Sequence, residues 1–105
     1  MNNSILDKFA AKATLRHNEY WFTPPGAIDV IEEAKSQGAP IFGFDGARID
    51  DRFITPSMDD SWDYSSQFSA PVADPYEHAI QFIRKRQDTD LVFSIVLGKS
   101  RENPN

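Results

Sequence analysis

The 105-residue chain contains no cysteine. That excludes a disulfide framework, a thiolate metal site and a cysteine nucleophile. Long apolar runs are also missing, and none approaches the roughly 20 residues needed to cross a bilayer. The amino terminus, MNNSILDKFAAKATLRH, lacks the basic start and continuous apolar stretch of a signal peptide. A soluble, cytoplasmic protein without membrane contact is the expectation. Histidine is scarce, with only His17 and His78. Glu77 and His78 are adjacent in a helical stretch and point about 100° apart, so they do not chelate one metal as an i, i+4 pair does. H-x-x-x-H, G-x-S-x-G and phosphate-loop motifs are absent. Asp59-Asp60-Ser61-Trp62-Asp63 has acids but lacks the spacing, glycine and terminal glutamate of a calcium loop. No catalytic residue, cofactor or metal is expected, and an enzyme is the least favoured class.

What the chain does have is acid in one place. The formal net charge is −5. Residues 45–77 hold eight acids, Asp45, Asp50, Asp51, Asp59, Asp60, Asp63, Asp74 and Glu77, against Arg48 and Arg52. The remainder holds nine basic and eight acidic residues, so all of the net acidity lies in the middle third. A single-sign field of this kind repels nucleic acid and membranes and steers basic partners. The run Arg84-Lys85-Arg86 sits where a helix end favours cations and reads as dipole and solvent chemistry.

The length fits one domain, residues 1–105, with frayed ends at 1–3 and 99–105. Ser4 and Asp7 open a short helix over residues 4–13, and residues 14–24 read as irregular, with Tyr20, Trp21 and Phe22 as packing anchors. Pro24-Pro25 starts a second helix, whose stripe Ala27, Val30, Ile31 and Ala34 follows helical spacing and which Gly38 ends. IFGFDGARI, residues 41–49, reads as a strand whose Gly43 and Gly46 mark a bulge or a close backbone approach. Asp50-Asp51 makes the turn, and residues 52–58 return antiparallel, with Pro56 confining them to an edge. Residues 59–73 form the acid-aromatic stretch and a loop. Asp74-Pro75 starts a third helix, and LVFSIVLG, residues 91–98, is an apolar central strand beside 41–49. The expected fold is α+β, a small, mostly antiparallel three-stranded sheet with two or three helices packed on it.

DDSWDYSS, residues 59–66, stands out, because large aromatics normally go inside and aspartates stay in water. One reading packs Trp62 and Tyr64 on the core with Asp63 in water, which leaves Asp60 on the buried parity and in need of a partner. The other is an epitope, since tryptophan and tyrosine dominate binding hot spots and aspartates pair with partner lysines or arginines. On that reading the partner-binding residues are Asp45, Asp50, Asp51, Asp59, Asp60, Trp62, Asp63 and Tyr64. The aromatics would carry most of the energy, because a fully buried ion pair need not add net affinity.

Three features together resemble the immunity protein 40 family of bacterial polymorphic toxin and contact-dependent growth inhibition systems. They are the helix running into APIFGFD (39–45), the hairpin leading to WDY (62–64), and the PYEHAIQFI helix (75–83). The resemblance covers roughly residues 25 to 97. It implies a small cytoplasmic antitoxin that binds a cognate, basic toxin domain, commonly a nuclease, and neutralises it by stoichiometric protein–protein interaction. An acidic adaptor module with no toxin partner and a small enzyme of unknown reaction remain as alternatives.

Overall fold

A computed structural model describes residues 3–65 and 71–99. The loop expected over 67–73 lies partly outside the described residues, and the tail expected at 99–105 does so beyond Lys99. The element order is α1 (Asn3–Lys8), a 3-10 turn (Ala10–Lys12), β1 (Ala13–Arg16), β2 (Glu19–Phe22), α2 (Pro24–Gln37), β3 (Ile41–Ile49), β4 (Ile54–Asp63), α3 (Pro75–Arg84) and β5 (Val92–Leu97). The fold is α+β, and the sheet is antiparallel in the order β1-β2-β5-β3-β4.

Five strands stand where three were expected, because residues 14–24 are not irregular. They form the β1–β2 hairpin, with Arg16 paired to Glu19 across a two-residue turn. Both turn residues, His17 and Asn18, have positive φ (53° and 64°), the backbone of the turn that matches strand twist. The first helix is correspondingly shorter, since Ala13 already belongs to β1.

The two longer helices begin and end for the reasons the sequence announces. Pro24-Pro25 opens α2 where the first amides need no partner. Gly38 closes it in the left-handed region (φ 68°), so that Gly38 N donates to the Lys35 carbonyl and Ala39 N to that of Ala34. Only a residue without Cβ adopts that conformation cheaply. In α3, Asp74 accepts from the Glu77 amide at 3.1 Å. The reciprocal half of the box is not made, because the Glu77 carboxylate is taken by Gln81 Nε2 at 2.9 Å.

The helices supply one apolar layer and the sheet the other. Val30, Ile31, Ala79 and Ile83 pack with Phe22, Phe44, Phe93 and Leu97 in one cluster. Side chains alternate along a strand, so Phe44, Phe93 and Ile95 turn toward the helices. Gly43, Asp45, Ser94 and Val96 then turn away from them. The central place of β5, beside β3, matches the sequence reading.

The irregular feature is in β4, which continues to Asp63 instead of stopping near 58. Gly46 pairs with Ser57 and Phe44 with Trp62, so β4 advances five residues while β3 advances two. The surplus forms a wide bulge. It approaches β3 so closely that a Cβ on Gly46 would meet the Asp60 backbone and side chain. Ser61 Oγ plugs the gap, accepting from Gly46 N at 3.0 Å and donating to the Ser57 carbonyl at 2.7 Å.

Gly46→Ala should therefore lower stability by about 1–3 kcal/mol through overpacking. Urea unfolding should show a lower midpoint at unchanged slope. An unchanged midpoint would mean that the bulge shifts freely.

Candidate functional site

The eight candidate residues divide into three groups, and the bulge is what divides them. The first group faces the helices. Trp62 and Tyr64 are half-buried and pack against the core cluster. The Trp62 ring centroid lies 4.6 Å from that of His78 and 6.3 Å from that of Phe82, both on α3. Tyr64 Oη lies 2.7 Å from His78 Nδ1. Burial raises the Tyr64 phenol well above its ordinary pKa, so it stays a neutral hydroxyl. Trp62 Nε1 is buried without a partner among the described residues. The packing reading of these two aromatics therefore describes their positions.

Asp60 belongs with them. Its carboxylate accepts from Arg86 Nε at 2.5 Å and also from Ser57 Oγ. Arg86 lies over the Phe82 ring, 3.7 Å from its centroid, and donates to the Phe82 carbonyl at 2.9 Å. The partner that a buried Asp60 requires is thus inside the chain. The hydrogen bond from Ser57, followed by that from Arg86, holds the Asp60 carboxyl below the usual carboxylate range. Arg86 is the structural cation that the basic run concealed. Nothing in its sequence position separates it from the exposed Arg84 and Lys85.

The second group serves turns or lies exposed beside them. Asp50 accepts from the amides of Arg52 (2.8 Å) and Phe53 (2.7 Å) and so closes the β3–β4 turn. Those two bonds lower its pKa. Asp51 is exposed in the same turn. Asp59 is exposed on the bulge, and its carbonyl receives a long contact from Arg86 Nη2 at 3.4 Å.

The third group is on the face away from the helices. Asp45 lies opposite Ser94, and Asp63 lies opposite Gly43. Glu19, which the sequence did not single out, joins them by accepting from Ser94 Oγ at 2.6 Å. Asp63 accepts from the amide and hydroxyl of Ser65 at 2.9 and 2.6 Å. Desolvation is the main influence on Asp45, with the negative charges of Glu19 and Asp63 next, and all three raise its pKa. Asp45 pairs with no cation among the described residues. A depression of about 250 Å³ is bordered by Asp45 and Asp63, with Phe42, Gly43, Ser65 and Val96 and the strand positions of Phe44 and Trp62 also in its lining.

Two other hollows are present. One of about 310 Å³ lies between α1, the hairpin and β5, and one of about 540 Å³ lies between α2 and α3. His78 lines neither of these, nor the depression at Asp45. Among the described residues no three histidine or acidic side chains come together as a metal site, and no helix is long and apolar enough to cross a membrane. No known family model matches the chain, and no curated protein matches it.

The three groups differ in how they answer to pH and truncation. Asp60 has a lowered folded pKa, so its contribution is present above the ordinary carboxylate range and is lost as pH falls through the folded value. Asp60→Asn should cost about 1.5–3 kcal/mol near neutrality, and the cost should shrink in acid. Asp45 has the opposite sign. Its raised folded pKa makes wild type lose stability as pH rises from the ordinary carboxylate value through the raised one. Asp45 is itself exposed, so solvent screens the like charges, and Asp45→Asn should stay within about 0.5 kcal/mol of wild type near neutrality, on the stabilising side, with any difference closing in acid. Urea unfolding at about pH 7 and about pH 3 reads both. Trp62→Ala removes a ring from the α3 contact and should cost about 2–4 kcal/mol by the same measurement. A cost near zero would mean that the Trp62 ring contributes nothing to the fold.

Proposed function

We propose that this protein is an inhibitor of the immunity type, binding a basic cognate toxin domain one-to-one. One observation carries the reading. Asp45 lies within electrostatic reach of Glu19 on one side and Asp63 on the other, on the sheet face away from the helices, and no cation among the described residues pairs with Asp45. Like charges kept together cost stability, and a cationic partner turns that cost into attraction. The resemblance to immunity proteins and the acidic middle third support the same reading.

The proposed contact surface is narrower than the acidic stretch. Asp45 and Asp63 are its centre, with Glu19 beside them. Asp60 is engaged with Arg86, and Asp50 with its own turn. Trp62 borders the depression, but its ring and that of Tyr64 pack against the core and α3 instead of forming a desolvated centre of the surface. Electrostatic steering is then the main contribution of the acids, acting on association more than on residence time. Inhibition by this route needs no chemistry from the protein, only occupancy of a cationic surface on the toxin.

The test is calorimetric titration with the C-terminal domain encoded by the gene immediately upstream. The expected result is a tight one-to-one complex whose association slows as salt rises. Asp63→Asn should weaken it by about tenfold, a loss of one charge-assisted contact. The absence of heat and of a complex would overturn the reading and leave an acidic adaptor module as the better one.

A further inference from the structure

The depression at Asp45 and Asp63 has a composition that the protein already uses elsewhere. Arg86 is held by two groups, the Phe82 ring at 3.7 Å and the Asp60 carboxylate at 2.5 Å. The same pair of groups, an aromatic ring and aspartate, recurs at the depression. Phe42 lies in its lining with 47% of its surface exposed, and Asp45 and Asp63 contribute two carboxylates. What Arg86 supplies at the first place is supplied at the second by no described cation on Asp45.

The geometry of the depression is built into the sheet. Gly43 contributes no side chain to its lining, and a Cβ there would come within 2.7 Å of the Trp62 carbonyl oxygen. Phe42 falls at the irregularity between Ile41 and Gly43 in the β3–β5 register. Its ring lies against Gly98, where a Cβ would approach Phe42 Cζ to 2.7 Å. Gly98 is itself fixed, donating from its amide to the Pro40 carbonyl at 2.8 Å. The ring is thus seated although nearly half of it is exposed.

Resting on the inhibitor reading above, we infer that this depression is the anchor point for one arginine side chain of the protein partner, its guanidinium between Asp45 and Asp63 and its flat face on Phe42. Arginine is favoured over lysine by the aromatic wall. A guanidinium is planar, weakly hydrated and able to stack while donating to two carboxylates at once. An ammonium is a strongly hydrated point charge that gains less from a ring. The volume of about 250 Å³ suits a single side chain better than a drug-sized small molecule, whose pockets usually measure roughly 300–1,000 Å³.

The experiment uses the full chain, labelled with nitrogen-15, and a defined probe, Nα-acetyl-arginine methylamide. The neutral citrulline analogue and the lysine analogue serve as comparators. Saturable shifts should concentrate at the amides of Gly43, Asp45, Asp63 and Val96. Citrulline should bind about tenfold more weakly. Asp45→Asn and the Asp45→Asn/Asp63→Asn double variant, whose spectra report retained fold directly, should weaken the arginine probe by a similar factor. Phe42→Leu should lower the response to arginine more than that to lysine. Shifts spread evenly over Asp51, Asp59 and Asp88, or equal responses to arginine and citrulline, would overturn the proposal. Titration of the double variant with the toxin domain separates the two ideas. Unchanged toxin affinity would refute the anchor and leave the inhibitor reading standing. A mapped arginine site in a wild-type protein that binds no toxin domain would do the reverse.

Discussion

The contact between Arg86 and Asp60 sets how the acidic stretch is laid out. Arg86 follows α3, and Asp60 sits in the β4 bulge, so one ion pair ties the helix layer to the edge of the sheet. Both side chains are mostly shielded, at 24% and 16% exposure, where a charge without its partner is costly. The Phe82 ring beneath the guanidinium adds a second, less directional restraint. With the bulge fixed, β4 resumes pairing in a shifted register. Trp62 comes level with Phe44 on the helix side, and Asp63 comes level with Gly43 on the other. Without the surplus residues, alternation would send the aromatics and the aspartate elsewhere. The polar face and the aromatic support behind it are two consequences of one kink.

The other edge of the sheet contributes by curling. β2 meets β5 in register at Phe22 and Phe93. Beyond that pair, Glu19 reaches Ser94, and Arg16 donates to the Asp50 carbonyl at 3.1 Å. The hairpin is therefore tied both to the central strand and to the β3–β4 turn. Trp21 and Ala47 are buried although neither belongs to the helix-facing cluster, so the sheet covers part of its own second face. That partial cover desolvates Asp45 and brings Glu19 near it. The same curl makes the site acidic and makes its acidity expensive.

Much of the fold was legible because several local signals agreed at the same positions. The prolines, the apolar stripe and Gly38 all specify α2, and Asp74-Pro75 specifies α3. The apolar run at 91–97 and the partner strand at 41–49 gave the centre of the sheet. The hairpin was not legible, because its turn is His17-Asn18 instead of an asparagine-glycine or aspartate-glycine pair, and because three consecutive aromatics hide alternation. Gly43 and Gly46 did announce irregularity in β3. They could not say that the extra residues lie in β4 or how many there are. The candidate site inherited that gap. Counting alternate positions assigns faces correctly only in an unbroken ladder, and one odd-numbered insertion reverses every later assignment. Arg86 was missed for a related reason, since proximity between a helix end and a bulge is a property of the assembled layers.

Net charge alone is a weak guide to function in this chain. Of the eight acids in the middle third, Asp50 closes a turn, Asp60 holds the bulge and Asp74 caps a helix. Each of these accepts from amide or guanidinium donors within the chain, so each serves the fold first. Asp45 differs in kind. Partial burial and the like charges of Glu19 and Asp63 both disfavour the charge it carries. A carboxylate placed against its own stability is better evidence for a partner than any number of carboxylates placed in favour of it. The distinction bears on the charge of a partner, which an adaptor and an inhibitor would share. A face that serves only solvation gains nothing from desolvating one aspartate beside two other acids, whereas a face that receives a cation gains a stronger field in a lower dielectric.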